Sequence, residues 1–218
     1  MHKIIYEDNH LLVVVKPFNM PCQQDNSNDL DLLTYYKKYL KEKYHKPNNV
    51  FLSLVHRLDR PTGGICVLCK TSKAASRLSK QIREHNFHKE YIAVVNDYNL
   101  KQHDTYEDYL QKNTKTNIVE VNKLGKYCKL SYMILEKYDN YARILVSLIT
   151  GRSHQIRVQM SSRGQYLYGD HKYNPNVIKG SQLALWSYSI NFKHPTTKEQ
   201  LKLISDVPNI YPFRRNNE

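Results

Sequence analysis

The apolar residues of this chain form two patterns, short continuous runs and longer runs that repeat every three or four residues. Short runs bounded by turn residues are typical of buried strands, whereas the three-to-four repeat is typical of amphipathic helices. The run at 10–16 predicts a buried strand that ends at Pro17. Further strands are predicted at 52–58, 65–69, 91–95, 129–136, 142–149, 183–192 and 200–204, and helices at 29–44, 72–84 and 153–162.

The two longer helices each have an apolar stripe with basic residues on the opposite side. In the helix at 72–84, which Thr71 or Ser72 caps, the inward stripe consists of Ala75, Leu78 and Ile82. In the helix at 29–44 it consists of Leu30, Leu33, Tyr36 and Leu40. The segment 104–117 is polar and predicts a loop or an excursion at the edge of the sheet.

The order of the elements favours an α+β fold over a doubly wound α/β fold. The strands at 129–136 and 142–149 are joined through Asp139 and Asn140, which predicts an antiparallel pair. Neighbours of this hairpin-like kind are typical of α+β proteins. The sequence contains no glycine-rich phosphate loop, and seven glycines in all do not favour a nucleotide-cofactor fold. We expect a single domain over residues 1–218.

The chain is strongly basic. Its 218 residues include 33 Lys and Arg against 20 Asp and Glu, which gives a net charge of +13 and an isoelectric point of about 9.5. Such a charge produces a positive field that attracts polyanions, nucleic acids among them. The alternative is a general bias of composition towards lysine and tyrosine, which composition alone leaves open.

The sequence favours a protein of the reducing cytoplasm. The apolar run near the N-terminus has five residues and is flanked by Asp8 and Lys16, which is too short and wrongly flanked for a signal peptide or a membrane span. The four cysteines, at 22, 66, 69 and 128, do not form a disulfide framework in a chain of this length.

A zinc site is an alternative that the spacing only superficially supports. Cys66 and Cys69 form a C-x-x-C, and His85 and His88 follow, but two residues between histidines are fewer than the three to five of zinc fingers. The cysteines also lie in an apolar strand, where residues three apart point to opposite faces. We therefore expect no metal and interpret the cysteines as buried free thiols.

Two clusters of basic and polar residues carry the candidate chemistry. In the first, LVHRLDRPTGG, the carboxylate of Asp59 lies between Arg57 and Arg60, and His56 is beside it. This cluster follows a predicted strand, and PTGG is predicted to be the bend that presents it. It is either an ordinary charged turn or part of an active site.

The second cluster is TGRSHQIR, where a strand leads into the short helix at 153–162. Arg152 and the first helical amides could hold a phosphate. Arg157, one turn along, could reach inward to a carboxylate as a bidentate partner. Taken alone, this segment would be interpreted as the exposed first turn of a helix that happens to carry basic residues. Two such clusters at strand ends favour a shared cleft.

Seven motifs, in order along the chain, resemble those of the RluA-type family of RNA pseudouridine synthases. They are YEDNHLLVVVKP, HRLDRPTGG, CVLCKTSKAASRL, KEYIAVV, TGRSHQIRVQM, YGDHKYN and NFKHPTT. The resemblance implies the pseudouridine synthase fold, a mixed and mostly antiparallel sheet with flanking helices and a central RNA-binding cleft. It implies a monomeric enzyme acting on ribosomal or transfer RNA, with no membrane, metal or small-molecule cofactor. Because the first motif begins within the first six residues, we expect no N-terminal S4-type RNA-binding domain.

The resemblance also implies roles for single residues. Asp59 matches the catalytic aspartate, and Arg57 matches the arginine that takes the place of the flipped uridine in the RNA. Tyr91 matches the tyrosine that stacks on the target base, and Arg157 the arginine that pairs with the catalytic carboxylate. We expect the substrate to be bound by His56, Arg57, Arg60, Arg152, His154 and Gln155.

The reaction breaks the bond between C1′ and N1 of uridine and rejoins the uracil through C5. Asp59 could attack C6, attack C1′ or act as a base, and the sequence leaves these routes open. Gly63 and Gln159 depart from the serine and histidine frequent in the family. The alternative function is a catalytically silent RNA-binding protein on the same scaffold. In such a protein we would expect the catalytic aspartate to be replaced, whereas this chain has Asp59.

Overall fold

The computed structural model describes residues 3–214, which contain eleven strands and three helices. The strands are β1 (Ile4–Glu7), β2 (Leu11–Lys16), β3 (Ser53–Leu54), β4 (Gly63–Cys69), β5 (His88–Asn96), β6 (His103–Asn113), β7 (Ile118–Val121), β8 (Lys126–Tyr138), β9 (Tyr141–Leu148), β10 (Leu185–Lys193) and β11 (Gln200–Ile204). The helices are α1 (Leu32–Lys43), α2 (Ser72–Arg83) and α3 (Gln155–Ser161). No helix within 3–214 is both long and apolar enough to cross a membrane.

The chain divides into two compact units, and the first comprises residues 3–87 and 189–205. Its strands follow the order β1-β2-β4-β10, with β3 on β4 and β11 on β10. Strands β2 and β4 pair antiparallel, with Val14 opposite Cys66. One core cluster contains Leu11, Val67, Leu78 and Phe192. Both faces of β4 are buried, because all seven of its residues are inaccessible to solvent.

The helices of this unit begin where a side chain caps the first turn. The Asp31 carboxylate accepts the Thr34 amide at 2.9 Å and starts α1, and Thr71 accepts the Ala74 amide at 3.2 Å and starts α2. The Thr71 cap confirms the prediction for α2. In α1 the buried stripe is Leu32, Tyr36 and Leu40. The predicted Leu30 is wrong, because it precedes the cap and is 55% exposed.

The second unit comprises residues 88–188 and 206–214. Its strands follow the order β5-β9-β8-β6-β7, and each of these pairings is antiparallel. Strands β8 and β9 form the predicted hairpin, with Asp139 in the left-handed region at φ 51°. Helix α3 buries six of its seven residues, Gln155 to Met160. The two units together have the α+β composition that the sequence predicted.

Three local predictions are wrong in whole or in part. The polar segment 104–117 is not a loop, because it contains most of the 11-residue strand β6, in which Tyr106 and Leu110 are buried between exposed charges. The alternative, an excursion at the edge of the sheet, agrees with the strand order, which ends in β6 and β7. The strand predicted at 52–58 is reduced to Ser53–Leu54. The glycines of PTGG do not form a bend, because β4 begins at Gly63.

Candidate active site

The buried ammonium of Lys16 hydrogen-bonds the backbone of the turn that carries Asp59. This side chain is 0% exposed, and its Nζ donates to the carbonyl oxygens of Pro17 (2.9 Å), Met20 (2.7 Å) and Arg60 (3.0 Å). Burial lowers the pKa of Lys16 to about 8, although the opposing charge of Asp59 raises it. A cation inside the first unit therefore fixes the backbone on which Asp59 lies.

A buried thiol supports the same turn one residue earlier. The Sγ of Cys22 accepts the Leu58 amide at 3.3 Å and donates to the Leu58 carbonyl at 3.4 Å. A hydrogen bond from Cys66, together with the Leu58 amide and the charge of Lys16, lowers the pKa of Cys22 to about 7. Residues 58 and 60, on either side of Asp59, are thus both held through main-chain atoms.

The turn presents Asp59 and Arg57 to different degrees. Arg57 is exposed and Asp59 is partly exposed, while Leu58 between them is buried. The carbonyl oxygen of Asp59 accepts the Thr62 amide at 3.0 Å, which closes the turn. The exposure of the Arg57 guanidinium is compatible with a side chain that enters the RNA. The catalytic role of Asp59 stays a prediction.

His56 and Arg60 have partners within the first unit. The Nε2 of His56 accepts the Val67 amide at 3.0 Å, and its ring lies 5.6 Å from that of Phe87. The Nη2 of Arg60 contacts Ser27 Oγ at 2.6 Å and Asp29 Oδ2 at 2.5 Å. Both side chains therefore position segments of the protein, and the substrate binding expected of them stays a prediction.

In the second unit, Tyr91 lies on β5 opposite Val146 of β9 and is 6% exposed. Its place within a paired strand gives the ring a fixed orientation. A rigid aromatic ring is what base stacking needs, and stacking by Tyr91 stays a prediction.

The loop before α3 is fixed by the Gln155 amide, which is 3% exposed. Its Oε1 accepts Thr150 Oγ1 at 2.8 Å and the Arg152 amide at 3.0 Å. Its Nε2 donates to the Lys129 carbonyl at 3.1 Å and to Gln159 Oε1 at 3.0 Å. All four bonds stay within the protein, so Gln155 positions the loop, and a direct contact with RNA stays a prediction.

The neighbouring residues Arg152 and His154 also contact the protein. The Nε of exposed Arg152 donates to the Tyr127 carbonyl at 2.9 Å. The Nδ1 of His154 lies 2.6 Å from the hydroxyl of Tyr173. Helix α3 begins at Gln155, and His154 before it has a left-handed φ of 51°. The Arg152 amide donates to Gln155, so a phosphate held by Arg152 would have to use its guanidinium.

Arg157 forms a bidentate ion pair with Asp170. Its Nε and Nη2 lie 2.8 Å and 2.6 Å from the two carboxylate oxygens, and both side chains are buried. Asp170 Oδ1 also accepts the amides of Lys172 and Tyr173. The sequence predicted a bidentate carboxylate partner for Arg157 but not Asp170, although the YGD of YGDHKYN was a signal. The pairing of Arg157 with Asp59 stays a prediction.

The cysteines of the C-x-x-C point to opposite faces of β4, as predicted. Cys69 lies in the core cluster with Leu78, whereas Cys66 hydrogen-bonds Cys22. Burial raises the pKa of Cys69 to about 12. In residues 3–214 no three His, Cys, Asp or Glu side chains are grouped so that they could hold a metal ion.

The α+β fold and the turn that presents Asp59 are compatible with the class that the motifs predicted, an enzyme that modifies RNA. The family model described as RNA pseudouridylate synthase matches residues 10–162. The chain belongs to this RNA pseudouridine synthase family, whose members are isomerases, and the predicted family is confirmed.

Individual relatives agree with this family. The chain is 32% identical over 219 residues to the ribosomal large subunit pseudouridine synthase C of Buchnera aphidicola subsp. Schizaphis graminum, covering 95% of this chain and 68% of the relative. It is 32% identical over 209 residues to the Vibrio parahaemolyticus protein of the same name, covering 93% and 64%. The chain thus spans about two thirds of the length of these curated relatives.

Solved structures show the same fold. The human RNA pseudouridylate synthase domain containing 4 has a TM-score of 0.80 at 20% identity, over 94% of this chain and 88% of that one. The human RNA pseudouridylate synthase domain containing 1 has a TM-score of 0.77 at 21% identity, over 96% and 85%. The predicted pseudouridine synthase fold is confirmed.

Proposed function

We propose that the protein converts uridines of large-subunit ribosomal RNA into pseudouridine, with Asp59 as its catalytic carboxylate. The observation that supports this most strongly is the turn itself, where Lys16 and Cys22 hold the main chain of residues 58 and 60 and leave the Asp59 side chain partly exposed. The matched segment 10–162 includes Asp59, Tyr91 and Arg157. The names of the relatives favour ribosomal over transfer RNA as substrate.

The reaction is an isomerisation without net oxidation or reduction. The bond between C1′ and N1 breaks, a bond between C1′ and C5 forms, and the proton on C5 leaves to solvent while N1 gains one. Asp59 supplies the negatively charged oxygen for this sequence, as a nucleophile or as a base. The family resemblance implies that no metal is needed, and we therefore expect activity to persist in the presence of EDTA.

The other side chains supply access and orientation. The target uridine must leave its stack, at a cost of a few kcal/mol. Arg57, which is exposed, would fill the vacated position, and Tyr91 would stack on the extruded uracil. Arg157 would stabilise the negative charge of Asp59. The net charge of +13 would hold the RNA through its phosphates and make binding dependent on salt.

The test is tritium release from unmodified large-subunit ribosomal RNA transcribed with 5-tritiated uridine. The wild-type protein should release tritium, and Asp59→Asn should release none while binding the transcript with similar affinity. Glu42→Gln is the control, because it changes an exposed carboxylate of the same unit whose ion pair is with Lys38 of α1, and it should keep activity. Tritium release by Asp59→Asn would refute the role of Asp59.

A transfer RNA transcript labelled in the same way tests the substrate. Release from transfer RNA with none from ribosomal RNA would overturn the ribosomal assignment and leave the enzyme class intact. Release from neither, with the wild-type protein folded and binding RNA, would count against the activity itself.

A further inference from the structure

Lys89 is a cation for which the described part of the protein supplies no counter-ion. Its side chain is partly exposed, yet burial alone lowers the pKa of its ammonium. Among residues 3–214 the ammonium of Lys89 has no hydrogen-bond acceptor and no carboxylate partner. By contrast, Lys129, Lys137 and Lys101 of the same unit each pair with a carboxylate. Lys112 and Lys126, for which the described residues supply no carboxylate partner either, are exposed to water, so it is the desolvation of Lys89 that calls for an explanation.

The ammonium lies against a glycine of the second sequence cluster. The Nζ of Lys89 is 2.8 Å from the position that a Cβ would take at Gly151. That distance is shorter than an ordinary contact, so the missing side chain at Gly151 makes room for the ammonium. Gly151 itself is exposed, and the space next to the ammonium is consequently open to a ligand.

A desolvated charge without a partner is unfavourable, and proteins retain one where a ligand supplies the opposite charge. The ligand must be an anion, and it must reach the ammonium from outside beside Gly151. In a protein that binds RNA, the abundant anion of this kind is the phosphodiester. Lysine binds phosphate as a point charge with three donors, and a single anionic oxygen suffices for it.

Strand β5 places this cation next to Tyr91. Lys89 and Tyr91 are two positions apart in β5, so they lie on one face of the strand, about 7 Å apart along it. We propose that Lys89 and Gly151 form a phosphate-binding site for the RNA backbone beside the nucleotide that stacks on Tyr91. This inference rests on the proposed function, because it uses the stacking role of Tyr91.

The test measures binding of fluorescein-labelled octauridylate, whose phosphates are all equivalent, across a series of salt concentrations. Lys89→Met should raise the Kd about tenfold at low salt. It should also reduce the slope of log K against log salt by about 0.7, the value for one phosphate contact to a single strand. Unchanged Kd and slope would overturn the proposal.

The melting temperature separates a binding role from a structural one. Because Lys89→Met removes a desolvated charge and keeps the apolar stem, it should raise the melting temperature, by about 2–4 °C. A structural lysine would behave in the opposite way. A fall in melting temperature together with unchanged salt slope would assign Lys89 to packing and overturn the proposal.

Lys137→Met is the matched control for the loss of one positive charge. Lys137 lies opposite Ala142, whereas Lys89 lies opposite Leu148, six residues or about 20 Å further along β9. The control should keep both the Kd and the salt slope of the wild type. An equal change of Kd and salt slope in both variants would show that only the net charge of the protein matters, and it would overturn the proposed site.

Gly151→Ala tests the second component. Its Cβ would displace the end of a flexible lysine side chain, so we expect a stable protein that binds octauridylate about threefold more weakly. In the double variant with Lys89→Met the alanine should have no further effect, because the group that it displaces is gone. Additive losses would show that Gly151 does not act through Lys89.

The binding assay does not require turnover. If Lys89→Met weakens octauridylate binding as expected while the wild type releases no tritium, the phosphate site stands and the proposed function fails. If tritium is released and Lys89→Met binds like the wild type, the proposed function stands and the phosphate site fails.

Discussion

The ammonium of Lys16 donates to the carbonyl oxygen of Arg60 at 3.0 Å, across 44 positions of sequence. The same ammonium holds Pro17 and Met20, so one buried cation joins the loop after β2 to the turn that carries Asp59. Three backbone oxygens are an unusual set of partners for a buried lysine, because none of them carries a full charge. Loss of the proton would leave the amine two N–H donors for these three oxygens.

Lys16 should make stability depend on pH in the alkaline range. Burial brings its pKa to about 8 in the folded protein, from an ordinary value of 10.5. Between these values the unfolded chain binds a proton that the folded chain does not, so the contribution of Lys16 to stability rises with pH. We expect the free energy of unfolding of the wild type, relative to Lys16→Met, to increase by about 3 kcal/mol from pH 8 to pH 10.5. Urea denaturation of both proteins measures this, and parallel pH curves would contradict it.

Glu7 should stabilise the protein against acid. Burial raises its pKa, but hydrogen bonds from Lys43, Tyr44 and Lys70 outweigh it and bring the pKa to about 2. The contribution of Glu7 is complete above pH 4.5 and is lost as the pH falls towards 2. Allowing for solvent around Lys43, we expect about 2 kcal/mol. The difference in unfolding free energy between wild type and Glu7→Gln should shrink between about pH 5 and pH 3, and a constant difference would exclude this role.

The ion pair of Arg157 and Asp170 should show strong coupling. Asp170→Asn removes the carboxylate that pairs with the buried guanidinium of Arg157, and we expect a loss of about 3–5 kcal/mol in the free energy of unfolding. The double variant Arg157→Met with Asp170→Leu removes both charges and should be more stable than Asp170→Asn alone. Denaturation of the single and double variants decides this, since independent residues would give additive losses.

Gln159 should be needed for stability, although histidine is frequent at this position in the family. Its Nε2 donates to the Tyr106 carbonyl at 3.2 Å and to Asp108 Oδ2 at 2.7 Å, and its Oε1 accepts from Gln155. Gln159→Leu would remove these three hydrogen bonds from a largely buried network, and we expect a loss of about 2–3 kcal/mol. The matched control is Gln111→Leu at an exposed position, which should stay within about 0.5 kcal/mol of wild type. Similar losses in both variants would show that the network is not the cause.

Elements with local signals were predictable from the sequence. The Thr71 cap and the apolar stripe define α2 to within a residue. Strand β6 was missed because its two buried side chains, Tyr106 and Leu110, are four residues apart among charges, which resembles no strand pattern. The error at Leu30 has a similar cause, since the register of α1 depends on which residue caps it.

The motifs name the residues of the candidate site, whose roles stay predictions, but they do not give the contacts of these residues. The motif identified Asp59, but the supports of its turn come from Lys16 and Cys22, which are 44 and 36 positions away from the atoms they bind. Asp170 reaches Arg157 across 13 positions through a loop. Such contacts join residues that are far apart in the sequence and are brought together by the tertiary fold. A single sequence does not show which distant residues lie close in space.

The supports of the Asp59 turn also determine how the turn responds to change. The Lys16 ammonium and the Cys22 thiol contact carbonyl and amide groups of residues 58 and 60. A substitution at Arg57 or Asp59 removes none of these bonds, so the shape of the turn should persist when its reactivity is altered. Shape and reactivity here are encoded by different atoms, the main chain specifying the first and the side chains the second. A new reaction could accordingly be introduced at this turn by engineering without redesigning the fold beneath it.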